Sequence, residues 1–249
     1  GVEVINAGTS SYSTLLYYLL IKNEILQYNP DLVVLNIDMT DVRDDRVYRD
    51  LATYGERGLP TAVRPSDERD QGKYILTPQG KVKISPIQRI NAWLVKHSFI
   101  IRSLEHALVQ QKRADPTILN TPGDWLKLEW DKTVEDNVAY SMDILVQTIK
   151  LLQEHNIKVM LTGVPHHPQF NGTWSTKPHD VLSQTAADAR VPYLNSYEAL
   201  KEKMSGTPVE QYFWTVDPTH FNAAGNELWA QAQLTFLKNP ANDLLPIQP

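Results

Sequence analysis

Leu32-Val-Val-Leu-Asn-Ile37 is a nearly unbroken apolar run of strand length, the pattern expected of a strand covered on both faces in a parallel sheet. It constrains the chain more than any other stretch because of what precedes it. Val2-Glu-Val-Ile-Asn6 reads as a strand and Ala7 to Ser13 as a turn of small residues. Thr14 to Tyr28 reads as an amphipathic helix with Leu15, Leu16, Leu19, Leu20, Ile25 and Leu26 on its inner side. Asn29-Pro30 ends that helix, since the residue before a proline is pushed out of the helical region. Strand, helix and buried strand in succession form a βαβ unit, which predicts an α/β fold with a mainly parallel sheet between helical layers.

Downstream the pattern loosens and then resumes. Asp44 to Gln71 is polar and broken by Gly55, Gly58, Pro60 and Pro65, and Ala114 to Trp130 is irregular. Together they predict a surface excursion over about residues 44–130 of a single domain spanning 1–249. Inside it, Tyr74-Ile-Leu76 and Val82-Lys-Ile84 flank Pro78-Gln-Gly80 as a small hairpin, and Pro86 opens a helix to about Gln111. Thr133 to His155 carries Val138, Met142, Leu145, Ile149 and Leu152 at helical spacing. Ile157 to Thr162 is another strand, Gly163 to Thr176 a loop and Pro178 to Ala189 a helix. Val191 to Leu194 is a short strand and Tyr197 to Met204 a helix. Asn222 is placed to cap a last helix over Ala223–Leu237, and the tail from Asn239 reads as a loose end.

Composition removes several function classes. An apolar fraction of 42% suffices for one large core, and a net charge of −5 with scattered Lys and Arg gives no sign of a nucleic-acid partner. No apolar run approaches the roughly 18 residues that a membrane-spanning helix needs. Zero cysteines exclude disulfides and thiolate chemistry without choosing a compartment. Asn171-Gly172-Thr173 matches a glycosylation sequon, which has meaning only in a secreted eukaryotic protein. The turn after Gly8 lacks both G-x-G-x-x-G and a Walker lysine, which argues against a phosphate-binding Rossmann protein.

The residues that carry chemistry lie near the two ends. Asp217-Pro-Thr-His220 sets a carboxylate three residues before a histidine, just ahead of a helix start. A short turn at that spacing holds both side chains on one side, so the carboxylate fixes the imidazole's tautomer and the other ring nitrogen faces a substrate. Alone the pattern is weak. Two further segments change its weight.

Val4-Ile-Asn-Ala-Gly-Thr-Ser-Ser-Tyr-Ser-Thr14, Pro30-Asp-Leu-Val-Val-Leu-Asn-Ile-Asp-Met-Thr-Asp-Val42 and Asp217-Pro-Thr-His220 resemble, in order, the second, third and fifth blocks of the SGNH (GDSL-type) hydrolase family. The resemblance covers essentially the whole chain. It implies a three-layer α/β/α sandwich with a flavodoxin-like sheet, and hydrolysis or transfer of an acyl ester on a small molecule or carbohydrate. It implies His220 as general base, Asp217 as its orienting partner, and Gly8 and Thr40 as oxyanion-hole donors, with Asn6 and Asp41 in support. No metal or organic cofactor is implied.

There are two departures from the family pattern. Thr40 stands where the family has Asn, and losing one oxyanion donor costs about 3 kcal/mol of transition-state stabilisation. The family's Gly-Asp-Ser block, which carries the nucleophile, precedes the second block, and this sequence begins at the second. The expectation is a serine outside this chain, from an N-terminal segment missing from it or from a partner chain supplying the first strand. The alternative is a catalytically inactive member that binds a glycan or a partner. Ser10, Ser11 and Ser13 read as turn and capping residues.

Remaining candidates have competing readings. His166-His167 follow a strand at the edge where open α/β sheets place ligands, so substrate contact and an exposed loop pair both stand, while adjacent histidines make a poor metal set. Asp38, Asp41, Asp44 and Asp45 lack the glycine and terminal glutamate of an EF-hand and read as a solvated loop, with Asp41 anchoring backbone amides. Trp174 and Trp214 suit stacking on a sugar, whereas Trp229 falls in the last helix and reads as packing.

Overall fold

The computed structural model describes residues 2–55, 57–64, 74–77, 80–83, 123–215 and 217–245. The helix expected from Pro86 to about Gln111 lies outside the described residues. Three parallel strands form the central sheet: β1 (Leu32–Asp38), β6 (Lys158–Val164) and β7 (Tyr193–Leu194), in the order β1-β6-β7. Along β1 and β6 the side chains alternate between two helical layers, as a pleated strand requires. Leu35, Ile37, Val159 and Leu161 pack into the core formed by α3 (Lys132–Glu154) and α5 (Lys177–Ala189). Val34, Met160 and Leu194 face α6 (Ser196–Lys203) and α7 (Ala223–Lys238) through Ala199, Phe236 and Leu237. The result is a three-layer α/β/α sandwich.

Helix α3 follows the apolar spacing closely. Val138, Met142, Leu145, Ile149 and Leu152 are all buried, and burying such a side chain fully stabilises the fold by about 1.5–3 kcal/mol. Asp131 caps its first turn by accepting from the Val134 amide. The early helix begins as read: α1 covers Thr14–Leu20, continues through a π turn (Ile21–Ile25) and a 3-10 turn (Leu26–Tyr28), and stops at Asn29 in a left-handed conformation (φ 47°).

Several expectations need correction. Val2 to Asn6 is not a strand, and Val2, Val4 and Ile5 are 69%, 82% and 56% exposed. A strand requires a hydrogen-bonding neighbour, and none of the described strands pairs with this segment. The acidic stretch is not a solvated loop. Residues Asp41–Arg49 form α2, with Asp41 and Asp45 both 1% exposed. Asp45 has a structural task there. Its carboxylate accepts from the Leu15 amide (2.9 Å) and the Thr14 hydroxyl, so it caps α1 from a distance while Ser13, at the cap position, makes no side-chain capping bond. Residues 239–245 of the tail are not loose either: Leu244 is 4% exposed beside Met160, and Lys158 Nζ donates to the Asp243 carbonyl (2.6 Å) and carboxylate (3.0 Å).

Among the described residues, two antiparallel hairpins precede α3: β2 (Ala52–Tyr54) with β3 (Pro60–Val63), and β4 (Tyr74–Thr77) with β5 (Gly80–Lys83), the second at the predicted place. Near the carboxyl end, the one-turn α4 (His167–Phe170) interrupts the expected loop. A further two-stranded ribbon, β8 (Phe213–Trp214) with β9 (Asp217–Phe221), leads into α7. At the junction Asn222 accepts from the Gly225 amide (3.1 Å), as a helix cap, and donates to the Gln211 and Phe213 carbonyls (2.8 and 3.1 Å). Gly225 makes this close approach feasible: a Cβ there would meet the Tyr212 carbonyl oxygen at 2.1 Å.

Candidate active site

The β8–β9 ribbon presents the Asp-Pro-Thr-His motif through a break in its register. Phe213 pairs with Phe221 and Trp214 with Asp217, so one step along β8 matches four along β9. Residues 218–220 therefore bulge out of the ladder. Below them, Phe213 and Phe221 (ring centroids 4.7 Å apart) are buried with Leu200, Met204 and Ala232, which roots the ribbon in the fold. Above them, the Asp217 side chain closes the bulge.

His220 Nδ1 lies 3.0 Å from Asp217 Oδ2, and the His220 side chain is 72% exposed. Thr219 completes a ring of contacts. Its hydroxyl donates to Asp217 Oδ1 (2.6 Å) and sits 3.0 Å from His220 Nδ1, and its amide donates to Asp217 Oδ1 (3.3 Å). Burial pushes the Asp217 carboxyl up, but hydrogen bonds from Thr219 and His220 and the imidazole's charge outweigh it, and the net direction is down. Asp217 thus favours its ionised, acceptor-only form.

A second Asp–His pair sits at the carboxyl edge of the sheet. Asp38, the last residue of β1, faces His166, just past β6, with Oδ2 and Nε2 3.3 Å apart. Burial alone would raise the Asp38 carboxyl, but His166 and the Thr40 hydroxyl and amide bring it to about 2. His166 is 1% exposed, its amide donates to Gln169 Oε1 (2.9 Å), and its ring lies 6.0 Å from that of Trp174. Neighbouring His167 approaches Glu210 (3.4 Å) and packs edge-on against Phe213 at 5.4 Å, so it belongs to the ribbon's base.

The other sequence candidates fall in separate places. Both Thr40 donors are committed to Asp38 Oδ1, the amide at 2.8 Å and the hydroxyl at 2.7 Å. Asp41 Oδ2 accepts from the Asp38 amide (3.1 Å), and burial beside Asp38 and Asp45 drives its carboxyl well up. The Gly8 amide donates to Asn6 Oδ1 (3.0 Å) in an exposed segment. Among the described residues no hydrogen bond joins Asn6 or Gly8 to Thr40, Asp217 or His220. Trp174 is 5% exposed and packs in the core, whereas Trp214 is 55% exposed directly opposite Asp217. Among the described residues no three His, Asp or Glu side chains converge as a metal set.

Sequence reading missed two partners. Thr219 had no assigned role, although a hydroxyl inside an Asp-x-x-His turn is a detectable signal. The Asp38–His166 pair joins residues 128 positions apart, which only the parallel pairing of β1 with β6 brings together.

No protein-family model matches this sequence, and no curated protein matches it either. Among solved structures, a GDSL-like lipase from Bacteroides thetaiotaomicron is similar at 12% identity, with a TM-score of 0.34 over 91% of this chain and 99% of that one. A likeness of that size decides nothing about activity.

Proposed function

We propose that the protein hydrolyses or transfers an acyl ester, with His220 as general base and Asp217 as its orienting carboxylate. One observation carries this reading: Nδ1 of an exposed imidazole is held on an ionised carboxylate, which leaves Nε2 to meet a nucleophile. A serine outside these residues attacks the ester carbonyl. His220 takes the serine proton and passes it to the leaving alcohol, and water or a sugar hydroxyl then accepts the acyl group. Ser13 is fully buried, and among the described residues no serine hydroxyl bonds to His220.

The Gly8 amide and Thr40 would serve the oxyanion only by leaving their present acceptors, Asn6 and Asp38. The exposed indole of Trp214, opposite Asp217, supports a ring-bearing alcohol such as an acetylated sugar. Turnover of p-nitrophenyl acetate and of an acetylated oligosaccharide, compared between wild type and His220→Ala, tests the reading. The expected result is a loss of at least about 10²-fold in kcat with the fold intact. Unchanged turnover in the variant removes the mechanism. Fluorophosphonate labelling locates the nucleophile, and a folded protein that neither labels nor turns over ester is a glycan- or partner-binding protein instead.

A further inference from the structure

We infer that Thr219 is a positioning residue whose hydroxyl locks both the rotation of the Asp217 carboxylate and the tautomer of His220. This rests on the reading of the ribbon as a general-base site, but its physical content can be measured without turnover.

An ionised carboxylate only accepts, so the single Thr219 proton points to Asp217 Oδ1 at 2.6 Å. Both remaining lone pairs of Thr219 Oγ1 can then only accept. His220 Nδ1 lies 3.0 Å from that oxygen and 3.0 Å from Asp217 Oδ2. A bare Nδ1 lone pair would face two acceptors at once, so Nδ1 carries the proton and shares it between them. The Nε2 lone pair is thereby left free for a base.

Asp217 alone would favour the same tautomer, but its carboxylate could turn about its Cβ–Cγ bond. Thr219 prevents that by tying Oδ1 with its hydroxyl and, more loosely, with its amide at 3.3 Å. The bulge supplies the proximity: residues 218–220 leave the ladder together, so the Thr219 hydroxyl falls inside the Asp–His pair instead of across the ribbon. His220 is 72% exposed, and a single contact to water-accessible Asp217 would hold its ring poorly.

The test compares Thr219→Val, which removes the hydroxyl but keeps the branched shape, with Thr219→Ser, which keeps the hydroxyl. Nitrogen-15 NMR of the His220 ring reads the tautomer directly. Wild type and Thr219→Ser are expected to show a protonated Nδ1 with slow proton exchange. Thr219→Val is expected to show a mixture of tautomers with faster exchange. In ester assays the same variant should lose about tenfold in kcat, the size of one ordinary hydrogen bond, with KM unchanged.

Ring nitrogen signals in Thr219→Val that match wild type would overturn the inference, whatever the activity. Shifted signals in a protein with no ester turnover would sustain it and remove the hydrolase reading instead. Thr219→Ala carries the same comparison should the Val variant fail to fold.

Discussion

Replacing Asp217 by Asn exchanges an acceptor-only carboxylate for a group whose NH2 can donate to His220 Nδ1. That reverses the tautomer: the proton moves to Nε2, and the base loses its lone pair. The expected cost is roughly 10²- to 10⁴-fold in kcat, with little change in melting temperature because the Asp217 side chain bonds within the turn, to Thr219 and to the exposed His220. A kcat within a factor of about two of wild type would show that Asp217 does not orient the base. At this scale the Asp–His pair was legible from spacing alone, since a three-residue separation in a turn admits few geometries. The Asp38–His166 pair was not, because no local rule joins β1 to the residue after β6. The acidic run misled for a related reason. Four aspartates suggest solvent, yet Asp45 is inside because the amide end of α1 needs an acceptor, and Ser13 does not supply one.

The ribbon and the last helix behave as one element, joined through Asn222. Its side chain caps α7 and also holds the Gln211 and Phe213 carbonyls, so Asn222→Ala loses more than a plain cap. About 2 kcal/mol of destabilisation is expected by chemical denaturation, together with a loosened His220. Gly225→Ala should be worse, because its Cβ would sit 2.1 Å from the Tyr212 carbonyl and 2.7 Å from Phe221 Cδ1. Either variant melting like wild type would show that helix and ribbon are not coupled. The cap was readable in the sequence because Asn before a helical run is a local signal. The register break of β9 was not, since it depends on Phe213 and Phe221 both reaching the same apolar pocket. Val2–Asn6 illustrates the converse: its alternation is strand-like, but strand formation depends on a neighbour that pattern alone does not supply.

Across the whole molecule, the buried histidine on α5 links stability to pH. His179 is 1% exposed, stacked on Tyr197 with ring centroids 5.5 Å apart, and 3.4 Å from the Tyr193 hydroxyl. Burial, and then the nearby His166, lower its pKa from 6.5 to about 3. The unfolded chain therefore binds a proton at a pH where the fold resists it. Stability from this residue is fully present above about pH 6.5 and drains away as pH falls towards 3, by a few kcal/mol in all. Melting temperatures measured between pH 7 and 4 should fall, and His179→Phe should flatten that slope. An equal slope in the variant would assign the acid sensitivity to other groups.

The sandwich itself was the most readable feature, because strand and helix patterns alternate along the chain, although β1 is less covered than its apolar run suggested: Val34 is half-buried and Asn36 exposed at the edge of the described sheet. The end of the chain was not: nothing in Asn239 to Leu245 announces that Leu244 enters the core beside Met160 while Lys158 grips Asp243. That clasp has a practical meaning for degradation. A carboxypeptidase that reaches this segment would meet a residue whose side chain is inside the protein, so trimming should stall before Leu244. Digestion that runs on past it would report that the outer helical layer had peeled from the sheet.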